Sequence, residues 1–350
     1  MTAEEDRTRP RKPILRVLAG ETLSPLPYWL MRQAGRYLPE YRELRQRSSS
    51  FLEFCLTPDR AAEATLQPIR RFGMNAAILF SDILVIPHAL GRSVAFCEGE
   101  GPMLEPLRRR EEVEALARGA VEERLGPVYE TVRRVSTLLP AETALLGFAG
   151  GPWTVATYMV EGGTSRDFAA VKRWALSDAE GFDRLIDVLV EATIAHLVAQ
   201  LEAGADAVQI FESWAGVLDP AAFRRFVIEP TRRVVAGVRA RQMQAPIIGF
   251  PRGAGLMYRD YVTETGVTAV SLDSAVPCAV ARKTLQSLVP VQGNLDPLRL
   301  AVGGRILENG VGEIVAALRD GPFIFNLGHG VVPDTPVEHV MRLAELLRRI

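Results

Sequence analysis

The sequence predicts an α/β protein: a single (β/α)8 TIM-type barrel with an N-terminal helical and loop extension. Two observations carry this. Three segments repeat one design without repeating a sequence: a helical stretch ends at a glycine, a short apolar run follows, and the run stops at a carboxylate. IRRFGMNAAILFSD ends at Asp82, LEAGADAVQIFE at Glu212 and TETGVTAVSLD at Asp273. Apolar runs without polar alternation suit strands covered on both faces, as in parallel sheets, and Gly73, Gly204 and Gly266 suit left-handed helix C-caps. Such runs also alternate with helical stretches from about residue 70 to the C-terminus with no Pro/Gly/Ser linker. A barrel therefore keeps 350 residues in one domain, where length alone suggests two.

Taken in order, residues 1–12 mix acids with bases ahead of no apolar run, which predicts a disordered lead-in rather than a secretory signal. Residues 13–350 form the barrel domain, with 13–70 as an extension packed on it. Besides the three template strands, ALLGF to Phe148, APIIGF to Phe250, VPVQG to Gly293 and PFIFNLG to Gly328 read as strands, seven in all. The eighth has no clear run. Ser177 to Ala203 reads as a helix through its spaced apolar residues, and Asp219 to Arg241 as another opened by Asp-Pro. Thr143 to Val160 is uncharged, but Gly150, Gly151 and Pro152 break it into strand, loop and helix start rather than a membrane span. No G-x-G-x-x-G follows a strand and no P-loop occurs, which argues against a doubly wound nucleotide-binding sheet.

Basic and acidic residues balance, 41 against 42, so the totals point to neither nucleic acid nor a membrane surface. Only Lys12, Lys172 and Lys283 are lysines; the other basic residues are arginines, which grip carboxylates bidentately. Cys55, Cys97 and Cys278 are far apart and form no CxxC, which fits a reducing cytoplasm. There is no HxH, HExxH or Cys/His cluster for a metal, and no GxSxG elbow for a nucleophile.

In a barrel the C-terminal strand ends gather on the face where chemistry is done. The strand-end candidates are Asp82, the Gly147–Tyr158 loop, Glu212, Ser213, Arg252, Asp273, Asn294, Asp296, Asn326 and His329. Asp82 admits two readings, a helix cap or ion-pair partner and a functional carboxylate. His329 lies between glycines that let a ligand or another chain approach the ring, and a turn histidine without a task fits as well. Gly150 and Gly151 leave room for a flat ligand or for backbone approach. Trp153 suits the core, and Tyr158, with its polar tip, suits a site. In PYWLMRQAGRYLPEYRELR, Arg32 and Arg36 are spaced to share one face of a helical turn, with no acid between them, which points to an anionic ligand. Arg42, Arg45 and Arg47 lie beyond Pro39 and read as a solvated or dimer-contacting helix face partnered by Glu40 and Glu43.

PYWLMRQAGRYLPEYRELR, FSDILVIPHALG, GFAGGPWTVATYMVEGG, QIFESWAG, QGNLDP and FNLGHGVVPDTP resemble, in order and spacing, the motifs of the uroporphyrinogen decarboxylase family of haem biosynthesis. The resemblance runs from about residue 13 to the C-terminus. It implies one (β/α)8 barrel, a cytoplasmic homodimer with facing clefts, no cofactor and no metal. It further implies conversion of uroporphyrinogen III to coproporphyrinogen III, in which four acetate side chains lose carbon dioxide and become methyl groups. Carried over residue by residue, the substrate-binding segment falls on Arg32, Gln33, Ala34, Gly35 and Arg36. The essential aspartate falls on Asp82, the tyrosine on Tyr158, the serine on Ser213 and the histidine on His329, with Phe80, Phe148 and Phe211 as apolar lining.

The implied chemistry agrees with the residue types. A macrocycle with eight carboxylates and four pyrrole N–H donors calls for arginines around it and an acceptor at its centre. Catalysis would fall to Asp82, as a charge that stabilises a protonated pyrrole, to Arg32, as proton-delivery group or its positioner, and to Tyr158. Two rival readings remain at this point. One is a methyltransferase of the same superfamily acting on corrinoid-bound methyl groups, whose zinc ligands have no cysteine counterpart near Gly249–Arg252 or Asn326–Gly330. The other is a non-catalytic tetrapyrrole-binding protein.

Overall fold

The computed structural model describes residues 12–97, 101–242 and 244–350, so all of the expected lead-in except Lys12 lies outside the described residues. All seven apolar runs are strands of one parallel sheet. They are β1 (Ala76–Ile78), β4 (Ala144–Gly150), β5 (Ala207–Glu212), β6 (Ile247–Pro251), β7 (Ala269–Ser271), β8 (Val291–Leu295) and β9 (Phe323–Leu327). Their spatial order is β1-β4-β5-β6-β7-β8-β9. The helix-ending glycines take positive φ, 64° at Gly73, 115° at Gly204 and 76° at Gly266. The connection after β1 also carries an antiparallel hairpin, β2 (Val94–Cys97) with β3 (Gly101–Leu104), which the reading of long apolar runs passed over.

The eighth stave comes from the extension. Tyr28 bridges Phe325 of β9 in parallel, the Phe325 N–H donates to Pro27 O at 2.9 Å and the Trp29 N–H to Phe325 O at 3.3 Å. On its other side Tyr28 O accepts the Asn75 N–H at 2.9 Å, immediately ahead of β1. Three residues of irregular backbone thus close the sheet, and a segment this short, with the mixed sequence PYW, gives no periodic signal.

Alternation along the staves sorts side chains inward and outward. Ala76, Ala144, Ala207 and Ala269 point inward at the strand starts and leave room for Ile14, Val17 and Leu18 of the helix Pro13–Leu18, which plugs that end. Above them lies a buried polar layer: Gln292 Oε1 accepts the Trp29 indole N–H at 2.8 Å, and Gln292 Nε2 donates to Gln209 Oε1 at 3.0 Å and to Ser271 Oγ at 3.1 Å. Outward-facing residues pack under the surrounding helices, and the next inward layer is the floor of the strand-end cleft.

Candidate active site

The inward positions at the strand ends are aromatic, then polar. Phe148 and Phe211 meet edge to face with ring centroids 5.6 Å apart, Phe211 and Phe250 likewise at 6.0 Å, and the His329 imidazole lies 6.4 Å from Phe250. Two residues further along the same parity come Ser213 after β5 and Arg252 after β6, both half-buried. Phe80 stands apart from this row. Its ring packs on Phe54 at 4.5 Å and Tyr41 at 5.6 Å, and its N–H donates to Thr65 Oγ1 at 2.9 Å, so it anchors the loop leading to Asp82.

The RQAGR segment is a series of turns, not a helix, and Arg32 holds a left-handed φ of 58°. Three contacts impose that bend. The Met31 N–H donates to Asn326 Oδ1 at 3.0 Å, Met31 O accepts the Val331 N–H at 2.9 Å, and the fully buried Gln33 spans the turn, its Oε1 accepting the Leu30 N–H and its Nε2 donating to Ala76 O. The Gln33 side chain is thus committed to the turn rather than to the cleft. Ala34 and Gly35 are half-buried within the same turn, while Arg32 and Arg36 are exposed with no ion pair or side-chain hydrogen bond among the described residues. Arg42 also departs from expectation: its guanidinium donates to Arg36 O at 2.7 Å and Tyr37 O at 3.2 Å and so braces the turn, while Glu40 pairs with Arg71.

The same folding brings His329 beside Arg32. A Cβ on Gly330 would lie 2.3 Å from Arg32 Cδ, and one on Gly328 would lie 2.2 Å from Ser274 Oγ. The glycines around His329 therefore admit neighbouring protein. Its imidazole is driven down to about 3, first by burial and then by the charges of Arg32 and Arg252, so the ring is neutral.

Asp82 is half-buried, with Oδ1 accepting the Leu84 N–H at 2.8 Å and Oδ2 unpartnered among the described residues. Burial pushes its carboxyl up to about 6, against the pull of the Leu84 N–H and the Arg32 charge. Tyr158 is raised by burial, stays protonated and feels Asp82, Arg32 and Arg252, with its ring 6.2 Å from Trp214. One carboxylate, one phenol, one neutral imidazole and two guanidiniums thus share a single electrostatic neighbourhood.

The other strand-end acids are occupied by the fold. Glu212 has outward parity, is fully buried, and accepts the Trp153 N–H at 3.0 Å, the Thr154 N–H at 3.0 Å and the Thr154 hydroxyl at 2.7 Å, pinning the N-terminus of the helix Pro152–Glu161 that carries Tyr158. Burial raises its carboxyl to about 7. Gly151 makes room for this carboxylate and Gly150 for Ile83 and Val155, so the glycine pair serves protein contacts rather than a flat ligand. Trp153 is core, stacked on Phe226 at 5.7 Å. Asp273 accepts from the Gly253 N–H, the Tyr258 hydroxyl and the Ala275 N–H, Asn294 donates to Asp273 O and Val276 O, and Asp296 caps the helix Pro297–Val302. Strand parity was the signal in the sequence that separates Glu212 from Ser213. Applied to β6 it also selects Arg252, absent from the family-derived set of site residues.

Among the described residues no group of three or more His, Cys, Asp or Glu converges, and no helix is long and apolar enough to cross a membrane. Cys55 is buried and Cys278 half-buried, both unbridged.

A profile of the family described as uroporphyrinogen decarboxylase (URO-D) matches residues 9–350. The chain belongs to the uroporphyrinogen decarboxylase family. It is 56% identical over 341 residues to a uroporphyrinogen decarboxylase of Rhodospirillum rubrum, covering 97% of this chain and 98% of that one. It is 53% identical over 338 residues to one of Brucella anthropi, covering 97% and 98%. Among solved structures, a methyltransferase from Methanosarcina mazei superposes with a TM-score of 0.80 at 20% identity over 97% of this chain and 98% of that one, a likeness of fold alone. In this member of the uroporphyrinogen decarboxylase family, the positions matching the family's motifs meet at one end of the barrel, with Phe80 and Gln33 in supporting places.

Proposed function

We infer that the chain is a carboxy-lyase acting on a small molecule: it converts uroporphyrinogen III to coproporphyrinogen III and four carbon dioxide molecules. Family membership over nearly the whole chain favours this over the methyltransferase and carrier readings. At the site, the observation that carries it is Asp82. A half-buried carboxylate with a free oxygen, set among arginines in an aromatic-floored cleft, suits a macrocycle that presents N–H donors at its centre and carboxylates at its rim.

In the mechanism we propose, Arg32, Arg36 and His329 hold acetate and propionate groups, while the turn formed by Gln33, Ala34 and Gly35 presents the two arginines. Phe148 and Phe211 cover the ring, with Phe80 supporting Asp82, and Ser213 and Tyr158 donate hydrogen bonds to the reacting acetate. The pyrrole is its own electron sink. Protonation of a ring carbon gives a cation, the acetate C–C bond breaks toward it with release of carbon dioxide, and an exocyclic methylene forms. That methylene takes a proton to become methyl as the ring carbon gives its proton up, so one proton is consumed per carbon dioxide. Asp82, ionised at neutral pH, accepts the pyrrole N–H bonds and offsets the developing cation without reorganisation. Arg32 and Tyr158 position the acetate and the incoming proton.

The enzyme is proposed to act in the cytoplasm as a homodimer, on the support of the family resemblance. Anaerobic incubation of purified protein with uroporphyrinogen III, with carboxyl groups counted by chromatography, should give the tetracarboxylic product. Unchanged octacarboxylic substrate would refute the reading, and an Asp82→Asn variant as active as wild type would refute the role given to Asp82.

A further inference from the structure

Arg252 differs from every other arginine of the described residues. The half-buried ones all have a side-chain hydrogen bond or ion pair, and those without a partner are exposed; Arg252 is half-buried and has none. Its backbone is fixed on both sides. The N–H donates to Glu212 O at 3.1 Å, and its C=O accepts the Gly216 N–H at 3.0 Å. The loops after β5 and β6 touch so closely here that a Cβ on Gly216 would lie 2.8 Å from Gly253 O.

The acids on either side cannot serve the guanidinium. Glu212 is occupied by two N–H groups and a hydroxyl, and Asp273 by two N–H groups and the Tyr258 hydroxyl. Parity directs residue 252 inward with Ile248 and Phe250, opposite Ser213 in the extended β5–β6 register. Its charge is felt at both His329 and Tyr158. A rigidly based, half-buried cation whose neighbouring acids are already occupied offers its fork to an anion in the cleft.

We propose that Arg252 binds a carboxylate of the substrate, forming with Arg32 and Arg36 a third arginine contact on the β6 side of the cleft. This rests on the decarboxylase reading for the identity of the ligand. The planar fork of arginine suits bidentate capture of a carboxylate, so a lysine replaces it only in part.

The experiment uses the full-length enzyme in two arms. In the first, uroporphyrin, the stable oxidised octacarboxylic ring, is titrated by fluorescence quenching into wild type, Arg252→Gln, Arg252→Ala and Arg252→Lys. In the second, KM and kcat are measured with uroporphyrinogen III. Arg252→Gln and Arg252→Ala should weaken uroporphyrin binding and raise KM by about tenfold or more. The thermal midpoint should hold and kcat should change far less, with Arg252→Lys in between. Kd and KM within about twofold of wild type in both variants would overturn the proposal. A kcat loss at unchanged KM would also overturn it, by making the residue structural. Wild type that binds uroporphyrin in an Arg252-dependent way yet releases no carbon dioxide would refute the decarboxylase reading and leave the carboxylate contact standing.

Discussion

A Cβ on Gly151 would lie 2.2 Å from the carboxyl carbon of Glu212, whose oxygens hold the first N–H groups of the helix bearing Tyr158. Gly151→Ala must therefore displace Glu212 or the helix and should cost about 2–3 kcal/mol in urea unfolding. Glu212→Ala should cost about 1–3 kcal/mol through the buried donors it strands. The double variant should cost less than the sum, since the clash disappears with the glutamate. Additive losses would mean that the two residues act separately.

Burial of the Asp82 carboxyl lowers stability at neutral pH. Unfolded, the carboxyl titrates at 3.8; in the folded cleft it titrates at about 6. Because the folded value is the higher one, the native state holds the extra proton between them, so the group leaves stability untouched below pH 3.8 and lowers it as pH rises through that window. Asp82→Asn, which keeps an acceptor for the Leu84 N–H, should be more stable than wild type by up to about 3 kcal/mol above pH 6, with the gap closing toward pH 4. Urea midpoints at several pH values measure this directly. A variant that is less stable at pH 7 than at pH 5 relative to wild type would contradict it.

The sequence shows the seven regular strands because each is a continuous apolar run, and three of them, as in Gly73 before Ala76–Ile78, stand behind a helix-ending glycine. It conceals the eighth because Pro27–Trp29 is ordered by its neighbours Phe325 and Asn75 rather than by its own pattern. Asp82, Tyr158, Ser213 and His329 are legible at strand ends and in the family's motifs. What separates Asp82 from Glu212 is that Asp82 stands in the loop beyond β1 with one oxygen unpartnered among the described residues, whereas both Glu212 oxygens hold the helix Pro152–Glu161, and those partners are set only on folding. The Arg32–Arg36 spacing looks helical, yet Asn326 and Val331, distant in sequence, pull the segment into turns.

Arg32 keeps its left-handed φ of 58° because tertiary hydrogen bonds enforce it. Arg32→Ala and Arg32→Gly both remove the guanidinium and should both lose most of the decarboxylation. Only the alanine retains the backbone strain, so Arg32→Gly should unfold at higher urea than Arg32→Ala, by about 1 kcal/mol. Equal midpoints would show that the turn relaxes once the side chain is gone.

The Trp29 indole N–H reaches Gln292 Oε1 at 2.8 Å inside the closed barrel. Trp29→Phe keeps most of the apolar volume but leaves that oxygen without a donor, while Gln292 Nε2 remains bound to Gln209 and Ser271. The expected cost is about 1–3 kcal/mol in stability, with KM for uroporphyrinogen little changed because the contact lies a layer below the cleft floor. A change in KM without a change in stability would place Trp29 in the site instead.

His329 should stay neutral throughout the range in which enzymes of this kind are assayed. Burial and the charges of Arg32 and Arg252 hold its imidazole down at about 3, so across pH 5.5 to 8 its ring signals in a histidine-labelled NMR titration should not move. His196, buried and likewise near 3, provides an internal reference for a non-titrating ring, its Nδ1 lying 3.2 Å from the Tyr129 hydroxyl. In the proposed site the imidazole would meet substrate as a neutral donor rather than as a cation, and His329→Asn, which keeps a neutral donor, should raise KM by less than about tenfold. A His329 midpoint near 6.5 would show that neither burial nor the arginine charges depress the ring.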